Sequence, residues 1–214
     1  TLGILPEEWI KKLGRYFESG EITEDGIRIS RSNFAVIQDL FEQETLSEET
    51  RNEMAVYTAK FDHFDGIQEV PVPAGLNASL RNYQQEGLNW LNFLDDFNFG
   101  ACLADDMGLG KTLQVIAFIL SQRTKRSHNT NLIVVPTSLL FNWQAEVARF
   151  APSIKLYTSY GPNIIKNKDH FDQYEIILTT YGTLLSDIRF LKNYVFNYVI
   201  LDESQAIKNT DSQR

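Results

Sequence analysis

The sequence predicts an α/β protein: a parallel sheet with helices on both faces, preceded by a small, mainly helical region with one short hairpin. From residue 76 onward, apolar segments of strand length alternate with longer segments of helical periodicity, which is typical of parallel sheets. Residues 1–73 show mainly helical spacing instead. Between the two regions, the sequence VPVPAG at residues 70–75 cannot continue a helix, because its prolines lack a backbone N–H. We therefore expect two domains, 1–73 and 74–214.

Composition and charge narrow the class of protein. The chain has 214 residues, 43% of them hydrophobic, which is ordinary for a globular protein. Its net charge of −8 is unevenly distributed: residues 1–73 carry 7 Lys and Arg against 15 Asp and Glu, whereas residues 74–214 carry 13 of each. Because the acidity lies in the N-terminal third, any contact with nucleic acid would be local and on the neutral remainder.

Cysteine, histidine and apolar-run patterns argue against several other classes. Cys102 is the single cysteine, which excludes an intrachain disulfide and fits a reducing cytoplasm. His63, His128 and His170 have no Cys or His at ligand spacing, so we expect no metal site of that type. The apolar runs are too short to cross a membrane, and no signal-peptide pattern is visible.

The N-terminal region is expected to contain three helices and a hairpin. Helical spacing predicts helices at residues 7–19, ended by Gly20, and at residues 34–41. Residues 22–29 (ITEDGIRI) predict a short hairpin with an Asp-Gly turn. A third helix opens at Ser47, a suitable N-cap that is followed by two glutamates.

The C-terminal region alternates strands with helices. Helical periodicity predicts helices at 79–97, 111–122, 137–150 and 183–191. Apolar runs predict five strands, at 99–104, 131–135, 154–157, 174–179 and 196–201. The first of these strands is expected to be buried and to run into a glycine-containing turn.

That turn is the first chemical feature. The pattern G-x-x-x-x-G-K-[S/T] binds nucleotide phosphates through backbone N–H groups at a helix N-terminus. Gly110, Lys111 and Thr112 fit it, with Lys111 reaching the β- and γ-phosphates and Thr112 reaching Mg²⁺, whereas Asp105 stands where the first glycine is usual. The alternative is a plain glycine turn with a solvated lysine. The candidate ATP-binding residues of this loop are Asp105, Asp106, Met107, Gly108, Leu109, Gly110, Lys111 and Thr112.

A pair of carboxylates is the second chemical feature. Asp202 and Glu203 follow the apolar strand at 196–201, and ligands of open α/β sheets bind beyond the carboxyl ends of strands. Asp202 could hold Mg²⁺ and Glu203 could activate the attacking water. The alternative is an acidic pair that complements a helix N-terminus.

The helix ahead of the loop supplies a third feature. A glutamine amide can pair with adenine N6 and N7, so Gln84 is a candidate adenine contact. Taken alone, Gln84 is better explained as a surface amide.

Five segments, in this order, resemble successive motifs of the Swi/Snf-type ATPases, which belong to the helicase-like superfamily that includes DEAD-box proteins. They are LRNYQQEGLNWL (80–91), LADDMGLGKT (103–112), VVPTSLLFNWQAE (134–146), TTYGTL (179–184) and LDESQAIKN (201–209). In that family an Asp replaces the first loop glycine, as Asp105 does here. Ser204-Gln205 after the carboxylates looks like bacterial members, and residues 1–73 resemble, more weakly, the segment that precedes their motor.

The resemblance implies the N-terminal RecA-like lobe of an ATP- and Mg²⁺-driven translocase on double-stranded DNA. It implies that Gln84 contacts adenine and that Lys111, Asp202 and Glu203 are catalytic. It also implies a DNA-facing edge that contacts phosphates rather than bases; its residues are Pro136, Thr137, Ser138, Asn142, Trp143, Thr179, Thr180 and Tyr181. For Trp143 a place in the core is an equal alternative, and Phe141 and Val147 are expected to be packing residues.

The resemblance also sets expectations for the whole protein, which would remodel or displace DNA-bound proteins in the bacterial cytoplasm, near the nucleoid. Family members continue with a second RecA-like lobe that carries arginine fingers, whose loss costs roughly 10³–10⁵ in rate. We therefore expect residues 1–214 alone to bind DNA and nucleotide weakly and to hydrolyse ATP hardly at all. Two alternatives stay open: a DEAD-box-like RNA helicase lobe, and a nucleotide-gated scaffold in which region 1–73 binds a protein partner.

Overall fold

The computed structural model describes residues 20–23, 26–29, 66–106, 108–161 and 167–207, together with isolated helical positions at 48, 52, 55 and 59. The chain divides into two compact units, one of residues 1–67 with 93–101 and one of residues 68–92 with 102–214. The boundary expected after residue 73 stays a prediction. The helices expected at 7–19 and 34–41, and the start of the third at Ser47, lie outside the described residues.

A two-stranded antiparallel hairpin is described in the first unit. Strand β1 (Gly20–Thr23) pairs with β2 (Gly26–Ile29), with Thr23 opposite Gly26. This register leaves two residues for the connection, as in the tightest hairpins. The expected hairpin is therefore confirmed, although it begins at Gly20, two residues earlier than predicted, and Gly26 of the expected Asp-Gly turn lies in β2.

The second unit is built on a four-stranded parallel sheet. Its strands are β3 (Asn131–Val135), β4 (Leu156–Ser159), β5 (Ile176–Thr180) and β6 (Val199–Leu201), in the order β4-β5-β3-β6. All three pairings are parallel. Every residue of the two central strands is buried, which explains why their sequences are mostly apolar rather than alternating.

Helices precede, connect and follow these strands. They are α1 (Asn82–Asp96), α2 (Lys111–Ser121), α3 (Leu140–Phe150), α4 (Lys168–Phe171) and α5 (Tyr181–Leu191). Short 3-10 turns lie at Gln122–Thr124, Thr137–Leu139 and Ser204–Ile207. No helix among the described residues is long and apolar enough to cross a membrane.

The two faces of the sheet bury different clusters. Neighbouring residues of a strand point to opposite faces, so Ile133 belongs to one cluster and Leu132 to the other. The cluster of Ile133 is shared with α2 and α3, and the cluster of Leu132 with α4 and α5. Helices therefore cover both faces, which confirms the expected fold class. A third cluster packs α1 on α2 through Leu88, Leu91, Ala117 and Phe118.

The prediction of a strand at residues 99–104 is wrong. The backbone is irregular there, and Gly100, Ala101, Cys102 and Ala104 are exposed. Such small side chains bury little apolar area on a sheet, and the division between the two units falls inside this segment, after Ala101. As a result β6 is an edge strand of the described sheet, and its Val199 is 58% exposed.

Candidate nucleotide site

The phosphate loop forms a tight turn that ends at the N-terminus of α2. Gly108 and Gly110 have φ angles of 85° and 79°, in the left-handed region that other residues avoid. A Cβ atom on Gly110 would lie 2.6 Å from Nε2 of Gln84, so space as well as conformation requires glycine here. Lys111 begins α2, and no side chain caps this helix. Its first-turn N–H groups can therefore receive an anion.

The amine of Lys111 lies on the loop itself. Its Nζ donates to the carbonyl oxygens of Asp105, at 2.7 Å, and Asp106, at 3.1 Å. These acceptors are uncharged, and a phosphate oxygen would be a stronger acceptor for an ammonium group. Thr112 follows in the first turn of α2 and is half-buried. Met107 lies outside the described residues, and its expected role stays a prediction.

Two side chains of α1 brace the loop. The amide nitrogen of Gln84 donates to the carbonyl oxygen of Leu109 at 3.0 Å, and the amide oxygen of Gln84 accepts from the backbone of Arg81 at 3.0 Å. The hydroxyl of Tyr83 donates to the same Leu109 carbonyl at 3.2 Å. Gln84 is 6% exposed, so it is not a surface amide. Its contact with adenine stays a prediction.

Asp105 is tied to α2 by a residue that sequence reasoning missed. Its carboxylate accepts from the side-chain amide of Gln114 at 3.0 Å, and Gln114 is fully buried. Gly87 of α1 makes room for that amide, because a Cβ there would lie 1.9 Å from Oε1 of Gln114. The available signal was a glutamine inside the otherwise apolar helix KTLQVIAFILS, since a buried polar residue usually has a hydrogen-bonding purpose.

The aspartate of the carboxylate pair is held at four points. Its backbone N–H donates to the carbonyl oxygen of Val134 in β3 at 2.9 Å, and its backbone carbonyl accepts from the hydroxyl of Tyr181 at 2.7 Å. The carboxylate of Asp202 accepts from the indole N–H of Trp143 at 2.8 Å and from the backbone N–H of Glu203 at 3.0 Å. A carboxylate has about four lone-pair positions, so Asp202 keeps acceptor capacity for a cation.

Glu203 has an unusual backbone. Its φ of 50° lies in the left-handed region, and such strain in a non-glycine residue is concentrated at functional sites. The side-chain amide of Gln205 donates to its carboxylate. Burial raises the pKa of the neighbouring Tyr181 hydroxyl, and the negative charges of Asp202 and Glu203 raise that pKa further.

The residues expected to face DNA divide into exposed and buried sets. Thr137, Ser138 and Asn142 are exposed around the start of α3. Trp143 is 4% exposed and belongs to the core, the second of the two expectations for it. Thr179 and Thr180 are also buried. The hydroxyl of Thr179 donates to the carbonyl of Ser159, and that of Thr180 caps α5. Pro136 and Tyr181 are half-buried.

The two packing expectations have opposite outcomes. Val147 is 3% exposed and lies in the core, as expected. Phe141 is 80% exposed, so its expected packing role is wrong. In α3 the positions 140, 143 and 147 share the face that packs on the sheet, and residue 141 falls about 100° away from residue 140, on the solvent side.

Together these features define a class of protein. A parallel sheet, a glycine turn with a lysine at an uncapped helix N-terminus, and a carboxylate pair directly after the edge strand β6 define a phosphate-loop nucleotide-binding lobe. Residues 83–214 match the SNF2-related domain. The chain belongs to this family, which confirms the resemblance found in the five motifs.

Solved structures and curated proteins agree with this membership. The SWI2/SNF2 ATPase core of Sulfolobus solfataricus, solved in complex with dsDNA, is 40% identical with a TM-score of 0.62 over 68% of this chain and 30% of its own. YwqA of Bacillus subtilis, a candidate ATP-dependent helicase/translocase, is 40% identical over 195 residues, 89% of this chain and 20% of YwqA. Helicase SWR1 of Candida glabrata is 43% identical over 155 residues, 69% of this chain and 11% of SWR1. The chain therefore spans a fifth or less of these curated relatives.

Proposed function

We propose that this chain is the ATP-binding lobe of a double-stranded-DNA-dependent ATPase and translocase, which remodels or displaces DNA-bound proteins. The observation that carries the proposal is the glycine turn with Lys111 at the uncapped start of α2, in one compact unit with Asp202 and Glu203 after β6. Two kinds of similarity support it. YwqA and SWR1 are named for helicase activity, and the Sulfolobus core was solved with dsDNA.

The proposed division of work follows from the contacts of each residue. Lys111 exchanges its two carbonyl acceptors for phosphate oxygens, while the first-turn N–H groups of α2 bind the same phosphates. Thr112 and Asp202 would hold Mg²⁺. When bound, this ion would neutralise part of the negative charge of the phosphates. Glu203, whose side chain is oriented by Gln205, would position the attacking water.

The proposed DNA-facing surface is the exposed start of α3. Thr137, Ser138 and Asn142 offer hydroxyl and amide groups that can hydrogen bond to phosphates without reading sequence. None of these three side chains is charged, so we expect this lobe alone to bind DNA with low affinity. A second RecA-like lobe in cis, a protein partner for region 1–73 and a place in the bacterial cytoplasm near the nucleoid are further parts of the proposal.

Steady-state ATP hydrolysis by the full-length protein tests this function. The protein is assayed alone, with duplex DNA and with single-stranded RNA, at several salt concentrations because phosphate contacts are salt-dependent. We expect strong stimulation by duplex DNA. Stimulation by RNA alone would favour the DEAD-box-like alternative, and no hydrolysis under any condition would favour a nucleotide-gated scaffold.

Two variants of the same protein assign the chemistry. Lys111→Ala and Glu203→Gln are each expected to abolish DNA-stimulated hydrolysis while leaving the fold intact, as judged by circular dichroism. Lys125→Ala, a change of an exposed lysine outside the loop, is the matched control and should hydrolyse ATP as the parent does. Retained stimulation in either loop or carboxylate variant would contradict the role assigned to that residue.

A further inference from the structure

Trp143 connects the start of α3, which is proposed to face DNA, with Asp202 of the nucleotide site. It lies in α3 directly after Asn142, in the segment whose exposed residues are proposed to face DNA. Its indole N–H donates at 2.8 Å to the carboxylate of Asp202, 59 residues away, which is proposed to hold Mg²⁺. The exposed start of α3 and the metal-binding carboxylate are therefore linked by one side chain.

A second link reaches Asp202 from the neighbouring strand. Tyr181 begins α5, directly after the capping residue Thr180, and its hydroxyl donates at 2.7 Å to the backbone carbonyl of Asp202. Both segments expected to follow the DNA, at 136–143 and 179–181, thus end in a hydrogen bond to the same aspartate. One bond holds its carboxylate and the other holds its backbone.

The buried surroundings of Trp143 hold its indole ring in a fixed position relative to the Asp202 carboxylate. Trp143 is 4% exposed and packs among Ile133, Val135 and Val147, so its ring has little freedom to leave the carboxylate. Hydrogen bonds to charged groups are stronger than neutral ones, particularly away from water. A shift of the first turn of α3 would therefore be transmitted to the position of the Asp202 carboxylate.

We propose that Trp143, supported by Tyr181, is a positioning residue that orients Asp202 for Mg²⁺ and couples duplex DNA on α3 to nucleotide binding. The proposal rests on the function above, since it needs a nucleotide site and a DNA-facing surface. It goes further by naming the side chain through which DNA acts on the metal. Partners of metal-binding side chains commonly contribute 10- to 100-fold to metal affinity.

The test measures nucleotide binding rather than turnover. In the full-length protein, the affinity for a fluorescent ATP analogue is measured in EDTA and over a Mg²⁺ titration, for the parent and for Trp143→Phe. The variant keeps an aromatic ring, although one smaller than indole, and removes the donor. We expect unchanged affinity in EDTA and roughly a 10- to 100-fold higher Mg²⁺ requirement. Trp90→Phe, the same chemical change in the cluster between α1 and α2, should alter neither value.

The second arm adds duplex DNA. DNA binding itself is followed by fluorescence anisotropy of labelled duplex without nucleotide or Mg²⁺, and under these conditions it should be equal in parent and variant. We expect duplex DNA to lower the Mg²⁺ requirement of the parent and to leave that of Trp143→Phe unchanged. If the parent binds no DNA, the proposed function fails, but the Mg²⁺ titration without DNA still tests the positioning role.

Two results would overturn the proposal. An unchanged Mg²⁺ requirement in Trp143→Phe would show that the indole donor does not orient Asp202. An equal loss of affinity with and without Mg²⁺ would show that Trp143 is only a packing residue. If Trp143→Phe does not fold, Tyr181→Phe removes the other bond to Asp202 and is judged by the same two criteria.

Discussion

Gly87 leaves space for the Gln114 side chain, which donates to Asp105 of the phosphate loop. Substitution of Gly87 by alanine therefore tests this packing. Gly87 lies in α1, and a Cβ there would stand 1.9 Å from Oε1 and 3.0 Å from Cδ of Gln114. The end of a glutamine side chain usually moves aside at little cost. Here Gln114 is fully buried and donates to the Asp105 carboxylate at 3.0 Å, so moving it breaks that bond.

The expected change in stability follows from one stabilising and two destabilising effects. Alanine is favoured over glycine in a helix by about 1 kcal/mol. Overpacking of a filled interior costs roughly 1–3 kcal/mol, and a lost hydrogen bond to a charged group costs roughly 1.5–3 kcal/mol. Because the two costs together exceed the gain, we expect Gly87→Ala to destabilise the α1–α2 contact by roughly 1.5–5 kcal/mol.

Hydrogen exchange of the full-length protein measures this locally, because it reports the opening free energy of each segment. We expect faster exchange in peptides that cover α1 and α2 in Gly87→Ala. Gly182→Ala is the matched control, since its Cβ meets nothing closer than the Thr180 hydroxyl at 3.9 Å, and it should stabilise α5 by roughly 0.4–1 kcal/mol.

A double substitution isolates the cause. In a Gln114→Ala background the obstructing amide is gone, so adding Gly87→Ala should be neutral or stabilising. Unchanged or slower exchange of α2 in Gly87→Ala alone would refute the close packing described above. An equal loss in both backgrounds would place the cause elsewhere than at Gln114.

Three further predictions concern other parts of the second unit. Thr180→Val removes the N-cap of α5 and should cost about 1 kcal/mol in urea unfolding, whereas Thr180→Ser should cost little. Burial and the bond to Asp172 raise the pKa of Tyr194 to about 12, so its contribution to stability is complete below pH 10 and is lost as the pH rises toward 12. Unfolding measured between pH 9 and 12 should therefore show a smaller alkaline loss for Tyr194→Phe than for the parent, and equal losses would contradict the shift. Phe141→Ala should change the melting temperature little, because the ring is 80% exposed, and a shift that corresponds to more than about 0.5 kcal/mol would show that it packs.

Much of the fold was predictable because its signals are local. The central strands β3 and β5 are buried on both faces, so each is a largely apolar run in the sequence. The wrong prediction of a strand at residues 99–104 relied on the same local signal. That segment looks apolar enough for a strand, but pairing depends on which residues lie alongside it, and the sequence does not contain that information.

The sequence by itself determined the family, the phosphate loop and the carboxylate pair, because each is a short run whose residue types and order carry the chemistry. Only the tertiary structure decided the partners of these residues. Asp202 accepts a hydrogen bond from Trp143, which lies 59 residues earlier in the chain. Gln114 of α2 packs against Gly87 of α1. Hydrogen bonding and close packing act over a few ångströms in space, whereas motifs are defined by separation along the chain, so contacts between distant segments appear only once the chain has folded.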